Sequence, residues 1–121
     1  MGRGTQTVTL RREDGTVVCE RCVLAATALR RLRGLLGRKG LAHDEGLLLR
    51  PASSIHTLFM RFPIDVVFLD RELGVVKVVP ELGPWRLAFG RGSRYALELT
   101  AGEAERRGVV AGGRLTADAS V

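Results

Sequence analysis

Four residues with chemically useful side chains lie close together in the stretch from Ser53 to Asp70 of this 121-residue chain. They are His56, Met60, Arg61 and Asp65. They precede or begin a strongly apolar run, and loops that lead into strands often display binding groups on a rigid scaffold. If the loop folds back, Asp65 could orient His56 or pair with Arg33 or Arg38, which would create an anion-binding or acid–base site.

These residues favour a small non-catalytic binding module over an enzyme. The candidate ligand-binding residues are Arg33, Arg38, His56, Met60, Arg61 and Asp65, and the expected ligand is a small or anionic molecule. In the enzymatic alternative, His56 and Asp65 act as an acid–base pair, with or without a metal. In the structural alternative, Asp65 binds backbone amides around Pro63 while His56 and Met60 fill the edges of the core. No catalytic residue is assigned, and no cofactor is expected.

The Cys19-Glu20-Arg21-Cys22 segment has the spacing of a metal or redox motif. Residues three positions apart in an extended strand point to opposite faces, and no second cysteine pair completes a four-ligand site. A zinc site that also uses His43 and His56 would need a histidine separation far from the usual short one. We therefore expect no metal site, and the segment does not begin a helix as thioredoxin-like motifs do.

The densest basic cluster comprises Arg30, Arg31, Arg33, Arg38 and Lys39, and Arg91 and Arg94 are further candidates for anion contact. Such a cluster could hold a phosphate, a nucleic-acid backbone or a protein partner. A solvated helix face explains it more simply. Because aromatic residues make up only 5% of the chain, few rings are available for stacking bases, and nucleic acid is the less favoured partner.

The composition is typical of one globular domain spanning residues 1–121. Hydrophobic residues make up 45% and charged residues 26%, with a formal net charge of +6. This chain length suffices to bury a core without a metal or disulfide. We expect a cytoplasmic, soluble protein with reduced cysteines, because no secretory signal and no apolar run of about 20 residues is present. The sequence leaves the oligomeric state open.

Turn and strand patterns predict a mostly β fold. Asp14-Gly15 between two β-branched runs predicts an N-terminal hairpin. Residues 46–50 predict a short strand that Pro51 ends, and residues 64–69 and 75–79 predict a second hairpin whose first strand is central. Residues 81–93 predict a loop or an irregular edge strand, and two further strands follow near residues 94–99 and 109–115.

Two short helices are predicted beside these strands. One begins at Thr27 and presents a leucine stripe opposite several arginines, and the other begins with a capping box formed by Thr100 and Glu103. Gly108 would end the second helix, and residues 117–121 are expected to fray. The fold class is therefore α+β, with a mixed sheet curled into a barrel-like domain and the basic helix over one opening.

Several segments in the same order resemble a bacterial and archaeal family, domain of unknown function 192, over residues 23–115. They are Arg31–Arg38, Leu41 with Gly46-Leu47-Leu48, Phe59-Met60-Arg61, Pro63–Asp70, and Leu97-Glu98-Leu99 with Gly102, Gly108 and Gly112. The chain departs from the family pattern at Gly113, where an aspartate is usual, and at Phe59, where a tryptophan is common. The resemblance implies a compact domain of mixed sheet and short helices, and it implies no reaction.

Overall fold

The computed structural model describes residues 6–25, 45–57 and 60–118. Within these ranges the chain forms nine β-strands and one short α-helix. The strands are β1 (Thr7–Arg12), β2 (Val17–Ala25), β3 (Glu45–Leu49), β4 (Ser54–His56), β5 (Ile64–Leu69), β6 (Val75–Leu82), β7 (Leu87–Phe89), β8 (Tyr95–Thr100) and β9 (Leu115–Ala117), and the helix is α1 (Glu103–Arg106). The predicted predominance of strands is confirmed.

Seven strands form one curled sheet in the order β6-β5-β8-β3-β2-β1-β9. Neighbouring strands are antiparallel except β2 and β3, which are parallel. The two edges of the sheet meet where Gly74 and Arg114 form a bridge just before β6 and β9. Hydrogen bonds from Val75 N to Gly113 O (2.8 Å) and from Leu115 N to Leu73 O (2.9 Å) reinforce this seam. The mixed sheet therefore forms a half-barrel, and the predicted curling of the sheet is confirmed.

The central position of β5 explains why its sequence is apolar throughout. All six residues of β5 are buried, because the strand lies between β6 and β8 and both of its faces are covered. Val67 and Leu69 face one hydrophobic cluster, and Ile64, Val66 and Phe68 face a second cluster on the other side of the sheet. The alternation of the strand thus divides the core into two layers.

The turn between β5 and β6 is built by the side chain of Asp70. Its Oδ1 accepts hydrogen bonds from the backbone amides of Glu72 (2.9 Å) and Gly74 (2.8 Å). The Asp70 amide donates in turn to Gly74 O at 2.9 Å. An aspartate can close a turn in this way because its short carboxylate reaches amides two to four residues ahead. The predicted second hairpin is confirmed, although β6 continues to Leu82.

The fold class predicts two short helices, and the described residues contain one, α1. The first predicted helix begins at Thr27, outside the described residues. The predicted capping box at the second helix is wrong, because the N-cap residue is Gly102, with φ of 91° and no side chain to cap. The carboxylate of Glu103 instead contacts Arg106 at 2.8 Å and Arg107 at 3.1 Å.

The chain also differs from prediction near its C-terminus. Ala117 belongs to β9 and pairs with Leu10, and Asp118 Oδ1 accepts a hydrogen bond from Thr9 N at 3.0 Å. The expected frayed tail therefore does not include Ala117 or Asp118, and residues 119–121 lie outside the described range. Over the described parts of the chain, no helix has the length and hydrophobicity needed to cross a membrane.

Replacing Gly90 by alanine should destabilise the fold. Gly90 is buried, and an added Cβ would overlap the side chain of Phe68. Because a packed core has no spare volume, we expect Gly90→Ala to lower the free energy of unfolding by about 1–3 kcal/mol in urea denaturation. Gly83→Ala is the matched control, since a Cβ added there would meet nothing within 4 Å beyond its chain neighbours, and it should change stability by less than about 0.5 kcal/mol. Equal losses would contradict this packing argument.

Candidate ligand-binding surface

Asp65 lies inside the fold and joins three distant parts of the backbone. Its side chain is fully buried on β5. Oδ1 accepts the amide of Glu81 at 2.8 Å, and Oδ2 accepts the amides of Gly102 at 3.0 Å and Ala104 at 2.9 Å. Asp65 accepts hydrogen bonds from backbone amides, as the structural alternative predicts. These amides belong to residues 16 to 39 positions away in the chain, and not to the residues around Pro63. Both carboxylate oxygens are thus committed to the end of β6 and the start of α1.

The other predicted site residues divide between the interior and the surface. Met60 is 4% exposed and packs in the second hydrophobic cluster. Arg61 is exposed, and His56 is half-buried on β4. Arg33 and Arg38 lie outside the described residues. His56 and Asp65 do not form an acid–base pair, because the described partners of the Asp65 carboxylate are the three amides above.

His56 belongs to a two-stranded ribbon that the sequence patterns did not predict. Strands β4 and β7 pair antiparallel, with Ser54 opposite Phe89, Ile55 opposite Ala88, and His56 opposite Leu87. Ile55 and Ala88 are buried against the second cluster. Because side chains alternate along a strand, the remaining four residues lie on the outer face of this ribbon. His56 therefore lies on the outer face, opposite the apolar side chain of Leu87.

The outer face of the ribbon displays a row of large apolar side chains. Trp85 is 60% exposed, Leu87 is 63% exposed and Phe89 is 60% exposed. Leu87 and Phe89 occupy alternate positions of β7 and lie on one face, while Trp85 lies in the turn that leads into β7. Isolated exposed apolar residues are ordinary, but three large ones within five consecutive residues form a candidate interaction surface. We call Trp85, Leu87 and Phe89 the apolar row.

A buried threonine holds the loop that presents Trp85. The Thr57 hydroxyl donates to Gly83 O at 2.6 Å and accepts the amide of Arg86 at 2.8 Å. The Thr57 carbonyl accepts the amide of Trp85 at 3.0 Å, and the Thr57 amide donates to Arg86 O at 2.9 Å. Trp85 adopts φ of 62°, a conformation that costs a non-glycine residue about 1 kcal/mol or more. The loop is therefore fixed by a polar network that holds an exposed tryptophan in a strained backbone conformation.

The chain segments that carry the apolar row and the ribbon contain basic residues and no acidic ones. Residues 53–61 and 83–94 contain no aspartate or glutamate. They contain His56, Arg61, Arg86, Arg91 and Arg94, and the four arginines are exposed. Lys77 on β6 adds another cation, since its Nζ donates to Phe89 O at 2.9 Å. The surface thus combines apolar contact area with positive charge.

The two cysteines face the same side of the sheet, contrary to the sequence-based prediction. Val8 pairs with Cys22 and Leu10 pairs with Cys19, so β2 has one extra residue between the two pairs. This β-bulge turns both thiols into the first hydrophobic cluster, where both are fully buried. A hydrogen bond with the Cys19 side chain, followed by burial, raises the pKa of the Cys22 thiol. Over residues 6–25, 45–57 and 60–118, no group of three or more potential metal ligands gathers. His43, which the zinc alternative needs, is outside these ranges.

Sequence reasoning missed the apolar row because glycine and proline surround it. The apolar residues at 85, 87 and 89 do alternate as a strand requires, which was the available signal. Alternation cannot tell which face is buried, however, and a tryptophan after proline is usually packed against the core. Thr57 carried no recognisable signal, since its partners lie 26 to 29 residues away.

The half-barrel with its attached ribbon defines a small domain of mixed β-sheet. The chain belongs to the DUF192 family, an uncharacterized ACR family, whose sequence profile matches residues 9–117. Among curated proteins, none matches the chain.

Two crystal structures share this fold. One is a candidate transcription regulator from Sinorhizobium meliloti 1021, with a TM-score of 0.79 and 24% identity over 97% of this chain and 96% of the other. The second is a protein of unknown function from Novosphingobium aromaticivorans DSM 12444, with a TM-score of 0.76 and 23% identity over 93% of this chain and 84% of the other. At such identities the likeness concerns the fold alone.

Replacing Asp65 by asparagine should destabilise the protein strongly. The substitution keeps the shape but places an NH2 group against amide donors and removes charge-assisted hydrogen bonds. We expect the free energy of unfolding in urea to fall by about 2–4 kcal/mol. Asp118→Asn is the control, because Asp118 makes an exposed bond to Thr9 N, and it should cost less than about 1 kcal/mol. Similar losses in both variants would show that the buried bonds are not special.

The raised pKa of Cys22 predicts a loss of stability at alkaline pH. The folded state holds the thiol proton more tightly, so the stabilisation is complete below the pKa of the unfolded thiol, about 8.5, and declines above it. Between pH 8 and 10, the free energy of unfolding should fall more steeply in the wild type than in Cys22→Ala, by up to about 1.4 kcal/mol per pH unit. Parallel pH profiles in urea denaturation would contradict this assignment.

Proposed function

We propose that this protein is a non-catalytic binding module whose ligand lies on the outer face of the β4–β7 ribbon. The ligand is an anion with a planar apolar part. The single observation that carries the proposal is the apolar row, in which three large side chains within five residues are each at least 60% exposed. The proposal also places the protein in the cytoplasm, in keeping with two cysteines that are thiols.

The apolar part of the ligand follows from the cost of leaving the row in water. Covering apolar surface is worth about 25 cal/mol per Å², and aromatic side chains offer the largest areas. The residues beneath the row, Ile55 and Ala88, are already packed against the core. A bound molecule would therefore gain stabilisation by covering the outer face, which the described residues leave exposed.

The anionic part of the ligand follows from the charges around the row. Arg61, Arg86 and Arg91 are exposed, and their segments carry no carboxylate to neutralise them. A guanidinium binds carboxylates, sulfonates or phosphates through paired hydrogen bonds. His56, opposite Leu87, offers a further polar contact at the edge of the row.

This proposal keeps part of the site that the sequence predicts. His56 and Arg61 remain candidate ligand contacts. Met60 and Asp65 support the surface from inside, because Met60 packs under the ribbon and Asp65 binds the backbone. The exposed side chains of Trp85, Leu87 and Phe89 replace Met60 and Asp65 as candidate ligand contacts. A catalytic role for His56 with Asp65 has no supporting geometry.

Titration with 2-naphthalenesulfonate, a planar apolar anion, tests the proposal. Amide resonances in residues 54–57 and 85–90, and the Trp85 indole N–H, should shift together, while residues 108–115 should not. The double variant Trp85→Ala/Leu87→Ala should bind at least about tenfold more weakly, since it removes most of the contact area. Val110→Ala is the matched control, because Val110 is 62% exposed outside the ribbon.

The neutral analogue 2-naphthalenemethanol separates the two parts of the proposal. Arg86→Gln/Arg91→Gln should weaken binding of the sulfonate several-fold and leave binding of the alcohol unchanged, because only the sulfonate pairs with guanidinium groups. Shifts centred on residues 108–115, or no difference between the double apolar variant and Val110→Ala, would overturn the assignment of the surface.

A further inference from the structure

We propose that the natural ligand of the β4–β7 ribbon is single-stranded nucleic acid, with bases stacked on Trp85 and Phe89 and phosphates held by the arginines. This inference rests on the proposed function and names its ligand. The low aromatic content of the sequence disfavours such a partner. What matters for stacking, however, is where rings are placed, and two of the six aromatic residues are exposed at either end of the apolar row.

The spacing of the apolar row suits an unstacked strand. Trp85 and Phe89 are four residues apart in the chain, so their Cα atoms are separated by at most about 14 Å. Every base has a π-face, and splayed bases stack on exposed aromatic rings without regard to sequence. Leu87 would then support a base or sugar between the two rings. Trp85 and Phe89 therefore each offer an exposed ring on which a planar base can stack.

The cations near the row match the phosphate backbone. Arg86 lies between Trp85 and Leu87, and Arg91 follows Phe89 by two residues. Arg61 and Arg94 lie in the same acid-free segments. Arginine pairs with phosphate through two hydrogen bonds and also stacks on bases, so it suits this ligand better than lysine does. In a duplex, the faces of the bases are covered, and the rings would have nothing to stack on.

The small residues beside Phe89 leave its ring accessible. Ser54 lies directly opposite Phe89 across the ribbon, and Gly90 follows Phe89 in the chain. The Thr57 network fixes the backbone at Trp85, so the point from which its ring projects is set before binding. Pre-positioned contacts bind more tightly because less conformational freedom is lost.

The fluorescence of Trp85 provides a direct test, because this is the only tryptophan in the chain. We would add 12-nucleotide oligouridylate or oligothymidylate at low salt and record quenching, with 5′-fluorescein anisotropy as the second measurement. Both oligonucleotides should quench Trp85, and the affinity for single strands should exceed that for the matching duplex. Tighter binding of either one distinguishes RNA from DNA as the source of the strand, and both results support the proposal.

Two variants should separate stacking from charge. Phe89→Ala should weaken anisotropy-monitored binding about 5- to 100-fold, which corresponds to the loss of one stacked base. Arg86→Gln/Arg91→Gln should reduce the slope of log affinity against log salt by about 1.4, since each phosphate contact contributes about 0.7 in single strands. Val110→Ala and Arg114→Gln, which alter exposed residues outside the ribbon, should change neither quantity.

The outcomes distinguish this inference from the proposed function beneath it. Equal affinity for single strand and duplex, unaffected by Phe89→Ala, would reduce the interaction to general charge attraction and overturn the inference. Quenching of Trp85 by a 12-residue polyglutamate peptide without any oligonucleotide binding would also overturn it, while leaving an anionic ligand at the ribbon. If neither oligonucleotide, peptide nor 2-naphthalenesulfonate affects Trp85, both proposals fail.

Discussion

The buried carboxylate of Asp65 fixes how three distant segments of the fold meet. It ties the central strand β5 to the end of β6 and to the start of α1 through three amide hydrogen bonds. A buried charge is stable only when its hydrogen bonds are made, so these three segments must meet in one arrangement. A carboxylate at a helix start is also favoured by the partial positive charge of the free amides there. Asp65 therefore takes over the capping that Gly102 cannot provide.

The same constraint leads to the exposed surface. The amide that binds Asp65 Oδ1 belongs to Glu81, whose φ of 49° turns the chain as β6 ends. The loop that follows is held by Thr57 and presents Trp85, after which β7 pairs with β4. Two buried polar side chains with satisfied hydrogen bonds thus support three apolar side chains that remain in water. Polar side chains are usually exposed and large apolar ones buried, and here the two are exchanged. For this reason the ribbon is a better-supported binding surface than the predicted cluster of His56, Met60, Arg61 and Asp65.

Membership of the DUF192 family can now be related to particular interactions. In the Pro63–Asp70 segment that carries the resemblance, Asp65 clamps the backbone, Asp70 closes a hairpin, and the residues between them fill both core layers. These are structural roles in this chain, whose fold is shared with solved structures that are 23–24% identical. The apolar row lies outside that segment and is argued from this chain alone.

Features that depend on neighbouring residues could be read from the sequence. The Asp14-Gly15 and Asp70–Gly74 turns and the central position of β5 follow from local turn chemistry and from apolar residues at consecutive positions. Three other features required the packing of distant segments: which amides Asp65 binds, the bulge in β2 that turns Cys19 and Cys22 to one face, and the exposure of the apolar row to water. Alternation specifies that two faces differ, but it cannot specify which is covered, because coverage depends on strands that pack from elsewhere in the chain.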